Sequence, residues 1–453
     1  MAKRTIIKRF LTDQSGVGVE SQVEAQRSRR EPEMGLVKAY PDVRFQRIVG
    51  FGAALTEASG YVFAQMPDDK KIRFAELCFG EQGNRYSLAR LSIQSCDFSL
   101  GPRAYLKRKP KPGMGLAGFS IDEDNRYVIP LAKVAQAANP SLAFLASPWS
   151  PPAWAKTNRS MKRGGRLKRE HYGTWAQMIA KALSEYERAG IHIGRITMQN
   201  EPQAVQTWES CLFDADEERA FLQHLKPALR AAGLGHVKVL AWDHNKERLL
   251  DRACAFMADP ASARDLDGMA FHWYSGDHFE AVRATRELIG PNRELIFTEG
   301  CDSFSAGDPS RELPHAEHYA HEVIGDLEAG ANGIIDWNIL LDHHGGPNHV
   351  GNYCDAPLMY DTSRGTLQVR LPFHYLGHFS RHIAPGAQRI LNTAHTTALE
   401  TTAFRNADGS CALVALNRTD RLIRFTLTAG SGALAKSVAP LDAPPHSIQT
   451  IVW

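Results

Sequence analysis

Eight short apolar runs recur along the chain, at residues 47–52, 88–93, 142–147, 195–198, 237–242, 268–273, 294–298 and 333–337. Each is followed by polar or aromatic residues and then by a longer stretch. Such runs suit strands buried on both faces, as in a parallel sheet. Helix-like segments lie between them. Residues 171–190 (HYGTWAQMIAKALSEYERAG) carry apolar positions at helical spacing and stop on a glycine. Residues 216–233 read the same way, with acidic residues in the first turn. Eight strands alternating with helices predict an α/β fold, a (β/α)8 TIM barrel, over residues 46–383.

The two ends of the chain follow another pattern. From about Ala394 onward the sequence alternates and is rich in threonine, and a turn at 406–410 separates two strand-like runs. This predicts an attached antiparallel β-sandwich over 384–453. Residues 1–45 precede the first barrel strand and are expected to add strands to the same sandwich. Residues 23–33 are polar and charged, which predicts a turn or mobile loop there.

Composition narrows the class without naming a chemistry. The chain has 453 residues, 43% hydrophobic and 23% charged, with a net charge of +3. A nearly neutral balance nominates no nucleic-acid partner. No apolar run is long enough to span a membrane. The basic start, residues 1–10, is not followed by an apolar core of signal-peptide length. The seven cysteines form no CxxC pair, which fits a reduced, cytoplasmic protein. No cofactor is expected.

The candidate chemistry lies where the runs end. Glu201 follows the fourth run and Glu299 follows the seventh. In a barrel of this kind the site lies at the C-terminal ends of the strands, and strands four and seven face each other across it. Two carboxylates so placed can break a glycosidic bond: a gap near 5 Å gives retention and a wider one gives inversion.

Several segments resemble glycoside hydrolase family 30, the family of acid β-glucosylceramidase. They are GFGAALTEA (50–58), SCDFS (95–99), ASPWSPPAWAKTN (146–158), QNEP (199–202), FHWY (271–274), FTEGC (297–301), DWN (336–338) and GGPN (345–348). LGHFS (376–380) and the last strand match as well. The resemblance implies a barrel joined to a sandwich built from both chain ends. It also implies retention, with Glu201 as acid/base and Glu299 as nucleophile, and no metal.

Around that pair the residues suggest further roles. Asn200 can bond a sugar 2-hydroxyl, and Tyr274 or His272 can donate to Glu299 and keep it ionised. Asp97 is the expected clamp for sugar hydroxyls, with pairing to Arg90 as its alternative. Trp149 and Trp337 can stack on a pyranose or pack in the core. Asn352, in the loop 345–352, is expected to reach the sugar. Asp243 supports the acid/base or fixes a loop, and Glu57 belongs to a helix start. Asp342, His343, His344 and His349 form a cluster assigned to the rim rather than to a metal, because adjacent histidines should point apart. Basic loops at 103–111 and 162–169 are either a solvated edge or a surface for anions.

The expected substrate is a small-molecule glycoside or glycolipid, cleaved by a β-glucosidase of glucosylceramidase type. The alternatives are β-xylosidase, β-fucosidase, endo-β-1,6-glucanase and a carbohydrate-binding pseudoenzyme.

Overall fold

The apolar runs form the eight parallel strands of a closed barrel. In chain order these are Gly50–Ala54, Leu88–Ile93, Ala143–Pro148, Ile193–Thr197, Lys238–Asn245, Gly268–His272, Glu294–Glu299 and Gly333–Asp336. Each pairs with the next, and the eighth closes on the first through Gly333–Gly50 to Asp336–Ala53. The structure is a computed structural model and describes residues 5–28, 30–435 and 437–453. Residues 1–4, on which the reading of the basic start partly rests, lie outside it.

Leu88, Leu145, Leu240, Ala270, Ile296 and Ile335 fill the barrel interior. They come from strands two, three, five, six, seven and eight, and they make the interior a packed core rather than a pore. Strand one contributes almost no bulk. A Cβ on Gly52 would lie 1.5 Å from the carbonyl oxygen of Leu88, so only glycine permits that approach. A much larger apolar layer lies between strands and helices, including Leu91, Phe144, Trp175, Leu225 and Phe271.

The two expected helices are Tyr172–Arg188 and Ala215–Ala231. The second begins with a capping box, Asp214 accepting from the Glu217 N–H while Glu217 reaches back to the Asp214 N–H.

Among the described residues, nine strands make the sandwich. Thr5–Thr12, Gly18–Arg27 and Leu36–Arg47 come from the N-terminal end. Gln388–Ala394, Leu399–Arg405, Cys411–Asn417, Ile423–Ala429, Ser437–Ala443 and Ser447–Val452 come from the C-terminal end. They enclose their own core around Ile7, Val37, Leu413, Phe425, Leu427 and Ile451.

The expectation of a loop at 23–33 is corrected in part. Gly18–Arg27 pairs with Thr5–Thr12 as far as Ala25 and with Ser437–Ala443 beyond it, and residues 23–27 belong to that strand. Their charges sit on its exposed face, so polarity there marks a solvated strand. Arg29, within the same segment, lies outside the described residues. A small sheet of Leu340–Asp342, Leu358–Asp361 and Thr366–Val369 was not anticipated; it follows barrel strand eight and frames the loop that carries Asn352.

Candidate active site

Glu299 is the last residue of strand seven, but Glu201 is not at the end of strand four. That strand stops at Thr197. The chain then continues irregularly between its neighbours, tied by Met198 N–H to the Leu240 oxygen of strand five and by Asn200 N–H to the Pro148 oxygen of strand three. Glu201 itself has φ of +45°, unusual for a residue with a side chain, and its N–H donates to the Asp243 oxygen at 2.9 Å. This turn brings Glu201 over the mouth. One oxygen of Glu201, one of Glu299 and a ring nitrogen of His272 all lie within 4.8 Å of one another.

Arg90 organises the floor beneath them. It is fully buried in strand two. Its guanidinium donates to Glu299 Oε2 at 2.6 Å, Asp243 Oδ2 at 2.8 Å, Asn200 Oδ1 at 2.7 Å and Ser147 Oγ at 3.0 Å. It also lies 4.7 Å from the Trp149 ring and 5.6 Å from that of Trp337. The alternative pairing of Arg90 with Asp97 is therefore excluded: Arg90 is spent on Glu299 and Asp243. Its importance was legible in part, since an arginine inside the apolar run 88–93 needs buried partners.

Asp243 proves more central than expected. One carboxylate oxygen accepts from Arg90, Ser147 at 2.9 Å and Thr197 at 2.6 Å. The other accepts from Thr298 at 2.6 Å and faces His272 Nε2 at 3.1 Å. Burial works against its charge, but Arg90 and His272 hold it well below the ordinary carboxylate range.

His272 is not bonded to Glu299, contrary to one of the two expected arrangements. Its Nδ1 faces Glu201 Oε1 at 3.3 Å and its Nε2 faces Asp243. Tyr274 fills the other expectation, donating to Glu299 Oε1 at 3.1 Å. Burial disfavours a charge on His272, yet the surrounding carboxylates, Glu299 foremost, raise it to about 9. Burial likewise opposes ionisation of Glu201, but its contact with His272 outweighs this and holds it low. Glu299 is pushed up by burial and by the Glu201 charge, against the pull of His272 and Arg90. The convergent atoms of Glu201, His272 and Glu299 would suit a cation only if His272 gave up Glu201.

The carboxylates open into a cavity of about 330 Å3, at the small end for a ligand pocket. Asp97, Trp149, Asn200, Tyr274, Trp337 and Asn352 all line it, as expected. Gln206, Trp208, His244, Cys301 and Tyr353 join them without having been singled out; all but His244, which is in strand five, lie in loops, where no periodicity marks a position as facing inward. The two indoles stack on each other, centroids 5.3 Å apart and planes 22° apart, so they both pack and line. Asn200 gives its oxygen to Arg90, which leaves its NH2 for a ligand. Asp97 accepts from Asn352 at 3.1 Å. Burial, followed by the Glu299 charge, raises Asp97 to about 7.

Other candidates fall elsewhere. Glu57 opens helix Glu57–Ala64 beside its cap Thr56, and it holds Arg103 together with Asp124. Arg103 is thus buried and leaves the expected basic surface; Lys107 and Lys109 remain exposed. His343 and His344 do not point apart, because their rings lie 3.8 Å centroid to centroid. The Asp342 carboxylate accepts backbone N–H groups of His344 and Gly346, and His349 faces Glu209. These side chains do not converge on one point.

Comparison with known proteins agrees with this architecture. Residues 48–383 match the glycosyl hydrolase family 30 TIM-barrel domain, and residues 386–451 match the family 30 beta sandwich domain. The lysosomal acid glucosylceramidase of Mus musculus is 31% identical over 465 aligned residues, covering 98% of this chain and 88% of the mouse protein. The crystal structure of SrfJ from Salmonella typhimurium superposes with a TM-score of 0.95 at 38% identity, covering 99% of both chains. The endo-β1,6-glucanase BT3312 superposes with a TM-score of 0.86 at 28% identity, again over 99% of both.

Proposed function

We propose that this chain, which belongs to glycosyl hydrolase family 30, is a retaining β-glucosidase of glucosylceramidase type. The observation that carries the reading is the approach of Glu201 and Glu299 oxygens to within 4.8 Å. That gap suits attack by one carboxylate on the anomeric carbon and leaves no room for the water that inversion needs between carboxylate and sugar.

Glu299, with Arg90 on one oxygen and Tyr274 on the other, is the nucleophile. It bonds to the anomeric carbon as the glycosidic C–O bond breaks, and Glu201 gives a proton to the departing oxygen. The proton of the Glu201–His272 pair rests on His272, 3.3 Å from Glu201 Oε1, and passes through Glu201 to the departing oxygen. Ester formation then removes the Glu299 charge, which makes neighbouring acids release protons more easily. Glu201 becomes the base that takes a proton from water, and the water oxygen displaces Glu299 to release the sugar with its original anomeric configuration.

The small cavity favours a single terminal sugar, and glucosylceramide is the substrate class proposed within the family. Endo-β-1,6-glucan cleavage is the second reading, because an endo-β1,6-glucanase superposes over the whole chain. A panel of nitrophenyl β-glucoside, β-xyloside, β-fucoside and β-galactoside, with glucosylceramide in micelles and β-1,6-linked gluco-oligosaccharides, separates these. Product anomers are followed by NMR. An α-anomeric first product overturns retention, and exclusive turnover of the oligosaccharides moves the assignment to the second reading. A cytoplasmic location is part of the same proposal, supported by seven cysteines that are all free. Cell fractionation tests it.

A further inference from the structure

Three loops that line the sugar cavity meet behind it on one histidine. Glu209, in the loop after strand four, is buried and does not line the cavity. Ser95, after strand two, donates to Glu209 Oε1 at 2.6 Å. His349, after strand eight, places Nε2 3.2 Å from Glu209 Oε2. His349 also reaches back to the strand-two loop twice, with Nδ1 3.2 Å from the Ser99 carbonyl oxygen and its own N–H on the Asp97 carbonyl at 3.2 Å. Three residues further on, Asn352 holds the Asp97 carboxylate.

The chemistry of these contacts fixes a proton. A carbonyl oxygen only accepts, so Nδ1 must carry hydrogen to bond Ser99. Nε2 then carries none if the imidazole is neutral, and a lone pair would face a carboxylate inside the protein. The 3.2 Å approach to Glu209 lacks hydrogen-bond alignment, and it is attractive only as an ion pair, with the ring as imidazolium and Glu209 as carboxylate.

Resting on the reading of the cavity as a sugar site, we propose that His349 and Glu209 form a protonated clamp. It positions Asp97 and Asn352 for the sugar and loosens when the shared proton leaves. His349 is a positioning residue; it does not line the cavity. Burial disfavours its charge, but Glu209 holds it above the ordinary histidine value. The other charged or titratable groups near the pair are Lys162 beside His349, and Asp97, Lys156 and Cys96 beside Glu209. Because the folded value is raised, the clamp is complete below about pH 6.5 and is lost as pH rises through the raised value.

Two measurements on the full chain test this. In a histidine-labelled NMR titration, the His349 ring should titrate above about 6.5 and the Asn352 side-chain amide should shift with the same midpoint. In Glu209→Gln the amide NH2 can donate to a neutral Nε2, so the clamp should persist without titrating. The KM for nitrophenyl β-glucoside should then lack the rise at the His349 midpoint, while that of the wild type rises about tenfold across it with kcat changed less. His349→Gln should show the high KM at every pH. A His349 midpoint at or below 6.5, or an unchanged pH dependence of KM in Glu209→Gln, overturns the clamp. Titration of Asp97 would survive in Glu209→Gln, which separates the two groups. If the protein turns over no glycoside, the proposed function fails, while the NMR titration still decides the clamp.

Discussion

The barrel has an ionic cluster at each end, and the two are built on opposite principles. At the base, Glu294 is held by Arg195 through two bonds of 2.6 and 2.8 Å and by Lys238 at 2.5 Å. One acid there has two cations. At the mouth, Glu201, Asp243 and Glu299 share Arg90 and His272, and Asp97 stands beside them with no cation of its own. A cluster with cations to spare has one protonation state across ordinary pH, and it serves as a fastening. A cluster short of cations must keep a proton somewhere inside it, and moving that proton is chemistry. The sign of the imbalance, more than burial or bond count, separates the working end from the structural one.

Substitutions can sharpen or break this contrast. Glu299→Gln should have the largest effect, lowering kcat for nitrophenyl β-glucoside by about ten-thousandfold or more, since it removes the nucleophile. Steady-state kinetics with active-site titration checks this; a loss below tenfold would break the role assigned to Glu299. Glu201→Gln should cost on the order of 100- to 10,000-fold. The loss should be smallest for nitrophenyl leaving groups, which need little protonation. Its pH profile should also lack the alkaline fall near pH 9 that the His272–Glu201 pair gives the wild type.

Asp97→Asn should act on both sides of the contrast. Sugar affinity should fall by about tenfold with the lost contact. Stability should move the other way. The folded value of Asp97 is raised from 3.8 to about 7, so its ionisation costs stability that is lost as pH rises through that window. The variant should therefore melt higher than wild type at pH 8 and no higher at pH 4, measurable by calorimetry. The smallest effect on activity belongs to the base: Glu294→Gln should leave kcat within about twofold while costing about 2–4 kcal/mol by chemical denaturation. A loss of kcat there would mean the two ends are coupled.

Much of this arrangement is legible before any coordinates. Runs such as 88–93 and 268–273 are apolar because a barrel strand is covered on both faces, so burial writes them directly into the sequence. The cavity residues at strand ends, Trp149, Tyr274, Glu299 and Trp337, follow from that count. What escapes is set by partners distant in sequence. Asp243 has no local mark of its five contacts, which come from five other strands. His272 touches Glu201 rather than Glu299 because Glu201 turns through a left-handed residue, and no spacing rule forecasts that. The strand Ser437–Ala443 contains Pro440, which lowers its apparent strand character although the chain pairs there.

The sandwich carries a consequence for biosynthesis. Its third strand ends at Arg47 and its fourth begins at Gln388, about 340 residues later. At about 5–20 residues per second, the early strands leave the ribosome roughly 20–70 s before the partners that cover them exist. During that interval Leu36–Arg47 has no neighbour along either edge, since both its partners, Gln388–Ala394 and Ile423–Ala429, are made last. The barrel can close as soon as its own eight strands are complete, whereas the sandwich can assemble only once its later strands have followed.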